Sequence, residues 1–162
     1  MKSQIAHDIK HRQYANDEFM TPGLLARYLV GLTPFAEYET ILDPCPGQGA
    51  FVDAIRLSFG KVKTATSFFE WNTPVDWIVG NPPYSKLDDW FEHSFELAQR
   101  GVAYLLGVTN ITPRRIEMAN KAGFGLTCIH LCKVFHWYGI SAFCVFEKGK
   151  PNIIAYDRIV WR

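Results

Sequence analysis

The sequence predicts an α/β protein with a three-layer, Rossmann-like fold, in which a mostly parallel sheet ends in a C-terminal antiparallel hairpin. Short apolar runs of strand length alternate with longer segments of helical spacing, two runs end abruptly in loops rich in glycine or proline, and the last two long runs lie close together along the chain. Such alternation is typical of βα units, because parallel strands need a long crossover between them.

The first elements follow from local signals in the N-terminal third. Residues 22–32 carry apolar side chains at helical spacing, with Thr21 as the predicted N-cap and Pro22 in the first helical position. Residues 40–42 form a short apolar strand, and residues 50–59 predict a helix after a Pro/Gly loop. This order of strand, glycine loop and helix is that of a nucleotide-binding unit.

The later elements continue the same alternation. Further strands are predicted at residues 62–69, 75–79, 102–108, 126–134, 140–147 and 153–160, and further helices at residues 87–100 and 112–122. The strand at 75–79 ends sharply at Gly80 and two prolines, because proline cannot donate to a sheet ladder. The strand at 102–108 is apolar throughout, which predicts burial on both faces, and the strands at 126–134 and 140–147 predict the hairpin.

Composition predicts one globular domain. The chain has 162 residues, of which 48% are hydrophobic and 15% aromatic, and we expect an N-terminal arm or short helix over residues 1–18 followed by a single domain over residues 19–162. The four cysteines form no CxxC pair, which favours reduced thiols, and no apolar run approaches the ~18 residues of a membrane span. These features predict a cytoplasmic protein that does not bind membranes.

The formal charge of the chain is close to neutral. Seventeen Lys and Arg residues face sixteen Asp and Glu residues, which leaves a net charge of +1. A tight, autonomous binder of duplex nucleic acid usually has a stronger basic footprint, so any nucleic-acid contact is expected to come from a local patch.

The first candidate site is the loop that follows the strand at 40–42. Asp43 and Pro44 open it, and Gly47 and Gly49 permit a tight turn with close approach of the backbone to a ligand. The loop lacks the lysine of a phosphate-binding loop and the third glycine of a dinucleotide fingerprint. A GxG on its own is also typical of an ordinary turn, but its position after a strand is where open α/β sheets bind nucleotides. Asp43 at the strand tip can meet a cationic amine or bound water.

The second candidate site follows the strand at 75–79 and consists of Asn81, Pro82, Pro83 and Tyr84. Two successive prolines remove two backbone donors, so the bend offers carbonyl oxygens and the Asn81 amide oxygen as acceptors. An exocyclic –NH2 group has two protons to donate, and accepting both leaves its nitrogen lone pair available for attack on an electrophile. Tyr84 adds an aromatic face on which a planar base or amide can stack. In isolation, a strand break with Tyr84 in the core explains the same residues.

Together with residues 19–25, these two motifs resemble N6-adenine DNA methyltransferases with the gamma motif order. The resemblance covers residues 19 to about 148, in the family's order. It implies transfer of a methyl group from S-adenosyl-L-methionine to the N6 amine of adenine in DNA, with RNA adenine left open, on the methyltransferase form of the Rossmann-like fold. It requires no metal.

The resemblance also implies roles for individual residues. The catalytic set is Asn81, Pro82, Pro83 and Tyr84, and Trp137 is the implied second ring that stacks on the substrate base, with packing within the hairpin as its alternative. The implied cofactor-binding residues are Phe19, Met20, Thr21, Asp43, Pro44, Gly47, Gly49, Ser67 and Phe68.

The sequence departs from the family in two respects. Family members usually carry one acidic residue that binds the cofactor ribose and another beside the cofactor adenine, and residues 61–69 contain neither. Glu70 is a candidate substitute for a missing carboxylate. The chain also leaves no room for a target-recognition domain, as in compact phage-like forms, so selectivity would come from loops, a specificity partner or a homodimer. Arg114 and Arg115 are candidate phosphate contacts, weighed against ordinary surface charges at a helix start.

Two alternatives stay open at this stage. Protein glutamine N5-methyltransferases share the Asn-Pro-Pro-Tyr motif, because a side-chain amide poses the same hydrogen-bonding problem as an adenine amine. The missing acidic residues also permit a catalytically silent relative that binds nucleic acid or a partner protein through the same cleft.

Overall fold

In the computed structural model, which describes residues 20–134 and 139–159, six strands form one mixed sheet. The strands are β1 (Ile41–Asp43), β2 (Lys63–Thr64), β3 (Val75–Gly80), β4 (Ala98–Gly107), β5 (Phe124–Cys132) and β6 (Ser141–Lys148). Their order across the sheet is β2-β1-β3-β4-β6-β5. The first four strands are parallel, and β6 runs antiparallel to both of its neighbours. The predicted parallel sheet with a C-terminal hairpin is therefore confirmed.

Helices cover both faces of the sheet and complete three layers. They are α1 (Gly23–Val30), α2 (Ala50–Phe59), α3 (Leu87–Leu97) and α4 (Pro113–Lys121), with 3-10 turns at Phe68–Glu70 and Val108–Asn110. Helices α1 and α2 pack on one face and α3 and α4 on the other. Alternate residues of β4 enter the two cores: Tyr104 joins the α3/α4 side, and Leu105 joins the α1/α2 side.

Several element boundaries follow the sequence closely. The predicted helix at residues 50–59 is confirmed, and the strand at 75–79 extends by one residue to Gly80. The four cysteines are free thiols, as expected from their spacing. Within the described residues, no helix is both long enough and apolar enough to cross a membrane.

Three predicted boundaries are wrong because tertiary contacts override local pattern. The helix predicted to reach residue 100 ends at Leu97, since Ala98 already pairs with Val75 in the sheet. The strand predicted at 62–69 is reduced to Lys63–Thr64, which pairs with β1 alone, and the chain then turns. The first helix begins at Gly23 after Pro22 as N-cap, so Thr21 does not cap it.

The predicted last strand at 153–160 is also wrong over the residues that are described. The Ile153 N–H donates to the Leu126 carbonyl at 2.9 Å, but the Leu126 N–H donates to the Asn152 side chain at 2.8 Å. A side chain therefore takes the place of a backbone acceptor, and Pro151 supplies no donor. The segment runs beside β5 without forming a ladder. Residues 1–18, the predicted cofactor-binding residue Phe19 and the predicted stacking residue Trp137 lie outside the described part of the chain.

Candidate active site

The two candidate loops meet at the carboxyl end of the parallel strands. Strands β1 and β3 are adjacent and parallel, so the loops after Asp43 and Gly80 leave the sheet side by side. A cleft of about 650 Å³ opens between them. Among the residues predicted for the site, those lining the cleft are Met20, Thr21, Pro44, Gly47, Phe68, Asn81 and Pro83.

Gly80 brings the two loops into contact. A Cβ atom at this position would lie 2.9 Å from Asp43 Oδ1 and 3.3 Å from Cys45 Sγ, both closer than ordinary packing. Any larger residue would separate the end of β3 from the start of the glycine loop. The close approach explains why the bend containing Asn81 faces the glycine loop.

Thr21 joins the N-terminal segment to the bend. The Asn81 side-chain Nδ2 donates to Thr21 Oγ1 at 3.4 Å, across sixty residues of sequence. This contact replaces the predicted cap on α1 and directs the amide group of Asn81. Met20 lies on the same wall, with its Sδ 3.9 Å from the position of a Cβ at Gly47.

The glycine loop adopts backbone angles that favour glycine. Gly47 has φ of +51° and Gly49 has φ of +87°, and Gly49 is the N-cap of α2. A Cβ at Gly49 would meet nothing within 4 Å. The loop is tight because the Gly49 N–H donates to the Pro46 carbonyl at 2.7 Å. Gly49 shapes this loop without lining the cleft.

Asp43 lies behind the cleft and is 1% exposed. Burial raises the pKa of its carboxyl group to about 7, against the opposing effect of the Cys45 N–H, which donates to Oδ1 at 3.1 Å. Burial and the neighbouring Asp43 also raise the pKa of the Cys45 thiol well above its ordinary value, while a hydrogen bond from the Asn81 backbone opposes that rise. Cys45, which lines the cleft, is therefore a neutral thiol at physiological pH.

A pair of stacked rings forms the far wall. Phe68 and Trp90 have ring centroids 4.7 Å apart and planes within 21°, and both line the cleft. His93 Nε2 lies 3.1 Å from the Phe68 carbonyl oxygen and 2.9 Å from that of Trp71, so one N–H can bridge both and hold the turn that carries Phe68. Sequence reasoning missed Trp90 because its spacing in α3 matched an ordinary core stripe.

The other expected ligands of the cofactor ribose and adenine lie elsewhere. Ser67 and Glu70 are exposed and do not line the cleft. Gln48 and Thr66 do line it and supply neutral hydrogen-bonding groups, whereas none of the described lining residues carries a carboxylate. Within the described ranges, no cluster of three or more His, Cys, Asp or Glu side chains is suited to a metal ion.

The remaining predicted residues occupy different environments. Neither Pro82, which is buried, nor Tyr84 lines the cleft. The half-buried Tyr84 packs against the core on the α3/α4 side. Arg115 donates to Asp88 at 2.7 Å, and Arg114 also pairs with Asp88, at 3.2 Å. The Asp88 carboxylate thus engages both arginines that were candidate phosphate contacts.

Neither a protein-family model nor a curated protein sequence matches this chain. Solved structures do match it in fold. A Pyrococcus horikoshii protein provisionally assigned as an RNA methyltransferase aligns with 91% of this chain and 97% of its own, at 18% identity and a TM-score of 0.59. A protein of a type I restriction-modification system aligns with 93% of this chain and 46% of its own, at 15% identity and a TM-score of 0.63.

A third similar structure is magnesium protoporphyrin IX methyltransferase from Synechocystis PCC 6803, solved with bound S-adenosylmethionine. It shares 12% identity over 77% of this chain and 76% of its own, with a TM-score of 0.53. The first and third of these proteins are named for different substrates, so the likeness establishes the fold and leaves the substrate open. The chain has the Rossmann-like fold of methyltransferases.

Proposed function

We propose that this protein is an S-adenosylmethionine-dependent methyltransferase that modifies the N6 amine of adenine in DNA. The observation that carries the proposal is the placement of the proline bend: Asn81 opens onto the same cleft as Gly47 and contacts Thr21 at 3.4 Å. The methyltransferase fold supports the reaction class, and the acceptor-rich bend supports an –NH2 group as the methyl acceptor.

The cleft suits S-adenosylmethionine in size and chemistry. Its volume of about 650 Å³ falls within the roughly 300–1,000 Å³ of small-molecule sites. Gly47 permits close approach of the backbone, and the Phe68 and Trp90 rings offer an apolar wall for the adenine. We assign Gln48 and Thr66 to the ribose hydroxyls, because both line the cleft where a carboxylate is absent from the described residues.

The chain's own groups orient the acceptor amine. When bound, S-adenosylmethionine supplies an electrophilic methyl group on a positively charged sulfur. The Asn81 amide oxygen and the Pro82 carbonyl accept the two amine protons, which leaves the nitrogen lone pair directed at that methyl group. As the new N–C bond forms and the S–C bond breaks, the nitrogen sheds one proton to solvent. Because the electrophile is already charged, orientation and hydrogen-bond acceptance supply the catalysis.

Three acceptor classes are tested side by side. Purified protein is incubated with methyl-labelled S-adenosylmethionine and, separately, adenine-containing DNA, RNA, and a glutamine-containing release-factor peptide. Label recovered as N6-methyl-2′-deoxyadenosine from digested DNA is the expected result. Label in RNA alone would move the substrate to RNA adenine, label in the peptide alone would replace adenine by glutamine, and cofactor binding without transfer to any of the three contradicts the proposal.

A further inference from the structure

The described charged side chains are distributed unevenly on the two sides of the cleft. Helix α3, which follows the proline bend, presents acidic residues: Asp88, Asp89, Glu92 and Glu96. Lys86, at the start of this helix, borders the same groove as three of these carboxylates, and Arg114 and Arg115 are paired with the fourth, Asp88. Between Leu87 and Leu97 the helix carries four carboxylates and no Lys or Arg, so its exposed face is unfavourable for a polyanion, despite the near-neutral charge of the whole chain.

The opposite side has a different character. Helix α1 contains no acidic residue, and its outer surface consists of Leu24, Arg27 and Tyr28, with Leu24 81% exposed and Tyr28 56% exposed. The Tyr28 ring lies 5.1 Å from the ring of His130 on β5, measured between centroids. Two partly exposed rings thus lie beside a cation on a surface that links α1 to the edge strand.

This surface lies next to the proposed reaction site. Helix α1 starts two residues after Thr21, which contacts Asn81, and Tyr28 is about 7.5 Å along the helix axis from its start at ~1.5 Å per residue. Strand β5 runs in the same direction as β4, since both are antiparallel to β6. It therefore ends at the same end of the sheet as the parallel strands, which is the end where the cleft opens. Lys133 follows β5 there and is exposed.

We propose that Leu24, Arg27, Tyr28, His130 and Lys133, here called the α1–β5 surface, bind the single strand of nucleic acid that carries the target base. Exposed rings beside cations are the elements of single-strand recognition, because bases stack on the rings and phosphates pair with the cations. Among the described residues, Arg27 and Lys133 form no ion pair; Asp53 on α2 borders the same groove as Arg27 and limits the surface on that side. The assignment rests on the proposed nucleic-acid substrate and names where that strand lies.

Two surface variants with matched controls test the assignment. Binding of the full-length chain to a labelled single-stranded DNA of about 16 nucleotides is followed by fluorescence anisotropy over a range of salt concentrations. Tyr28→Ala is compared with Tyr38→Ala, which removes another exposed tyrosine. Tyr38 lies in the loop before β1, at the amino end of the parallel strands. Arg27→Glu is compared with Arg56→Glu, the same charge change in the last turn of α2.

Tyr28→Ala is expected to weaken binding at least ~5-fold, the lower range for loss of one stacked base. Arg27→Glu is expected to weaken it about 10-fold and to lower the slope of log K against log salt by about 0.7, as for one lost phosphate contact on a single strand. Both controls should stay within about 2-fold of wild type. S-adenosylmethionine affinity and thermal stability, measured on every variant, are expected to be unchanged because the substituted side chains are exposed.

Equal binding by the α1–β5 variants and their controls would overturn the assignment. It would also be overturned if sedimentation showed that the two variants convert a dimer to a monomer, since the surface would then be an interface between copies. DNA binding that depends on Tyr28 and Arg27, without any methyl transfer to DNA, would leave this surface assigned while the proposed reaction fails. If DNA is methylated but both variants bind it as tightly as wild type, the proposed reaction stands and the assignment of the α1–β5 surface fails.

Discussion

At the scale of single residues, the contact between Thr21 and Asn81 connects the two motifs that the sequence places sixty residues apart. The sequence gives Thr21 the signature of a helix cap, but its hydroxyl accepts from Asn81 Nδ2 at 3.4 Å, and α1 starts without a side-chain cap. Because Nδ2 is directed at Thr21, the Oδ1 atom of the same amide group points away from Thr21. The contact is therefore expected to orient the proposed acceptor of the amine.

Removing the Asn81 amide should impair chemistry more than cofactor binding. Asn81→Ala is expected to lower turnover by about 100-fold, comparable to the loss of one preorganised polar contact, with S-adenosylmethionine affinity unchanged. Thr21→Val keeps the side-chain shape but removes the oxygen, and a loss of about 10-fold is expected from poorer orientation. Initial rates and calorimetry measure both effects, with Thr73→Val as an exposed control. Wild-type turnover in Asn81→Ala would exclude Asn81 from the mechanism.

The Asp43 carboxyl group should make cofactor binding depend on pH. Its pKa is raised to about 7 by burial behind the cleft, and a cation bound in the cleft would favour its ionised form. Binding of a cation is therefore expected to tighten as pH rises from 6 to about 8 and to weaken as pH falls through 7. Calorimetry with S-adenosylmethionine across that range measures the effect, and Asp43→Asn should abolish this pH dependence. A dependence retained in Asp43→Asn would assign it to another group.

The raised pKa of Asp43 makes the stability of the unliganded protein change with pH in the opposite direction to cofactor binding. A carboxyl group whose folded pKa is raised is protonated more readily in the folded state than in the unfolded state. The folded protein is therefore expected to lose stability as pH rises from about 4 to 7, and Asp43→Asn should flatten that part of the profile. Thermal denaturation without ligand at several pH values is the measurement, and an unchanged profile in the variant would contradict the assignment to Asp43.

At the scale of elements, Arg115 ties together three segments around the bend. Its guanidinium donates to Asp88 in the first turn of α3 at 2.7 Å, and to the Asn110 backbone carbonyl and side-chain oxygen at 2.9 and 3.0 Å. Thr112 caps α4 by accepting from the Arg115 N–H at 3.4 Å. Arg115 therefore holds the start of α3, three residues after the proline bend, against the start of α4.

Arg115 should matter more for stability than its neighbour. Arg115→Ala leaves Asn110 without its donor and is expected to cost about 2–3 kcal/mol, since the side chain is only 18% exposed and makes charge-assisted hydrogen bonds. Arg114 pairs with the same Asp88 but is 66% exposed, so Arg114→Ala should cost less than about 1 kcal/mol. Urea denaturation measures both variants. Equal losses would show that Arg115 is an ordinary surface cation.

The elements also show where local pattern is insufficient. Residues 50–59 form the predicted helix, because glycines precede and follow it and its apolar face matches the core. Residues 98–100 continue the periodicity of α3, but pairing with β3 makes them a strand. The free energy of sheet pairing depends on residues more than twenty positions away, and the local pattern carries no information about it.

At the scale of the whole molecule, the central strands pack closely because β4 has a glycine where bulky side chains meet. A Cβ at Gly101 would overlap the Trp77 ring and would lie 2.7 Å from the Phe146 carbonyl oxygen. Trp77 has little freedom to move, since its Nε1 donates to the buried Glu39 carboxylate at 2.9 Å and Phe35 packs edge-on against its ring. A side chain at position 101 would therefore strain both faces of the sheet.

Gly101→Ala is expected to destabilise the protein by about 3 kcal/mol, at the upper end of overpacking effects, because backbone and a fixed indole ring face the added methyl group. Gly23→Ala serves as the control, since a Cβ there would meet nothing within 4 Å and the residue begins α1. That variant should stay within about 0.5 kcal/mol of wild type. Chemical denaturation of both variants is the measurement, and a stable Gly101→Ala would mean that β4 can shift away from Trp77.

The sequence by itself determined the fold class, the glycine loop and the donor-free bend. These features depend on local chemistry: the spacing of apolar residues, the φ angles open to glycine, and the missing N–H of proline. Alternation of strand and helix patterns was enough to predict a mostly parallel sheet with a C-terminal antiparallel hairpin, which is confirmed.

Only the tertiary structure decided that Thr21 contacts Asn81, that Phe68 stacks on Trp90, and that Asp88 engages both candidate arginines. Each of these contacts joins residues far apart in sequence, and its free energy depends on which partner the folded sheet brings within reach. Residue type and spacing specify what a side chain can bind, whereas the packed chain selects the partner that it does bind.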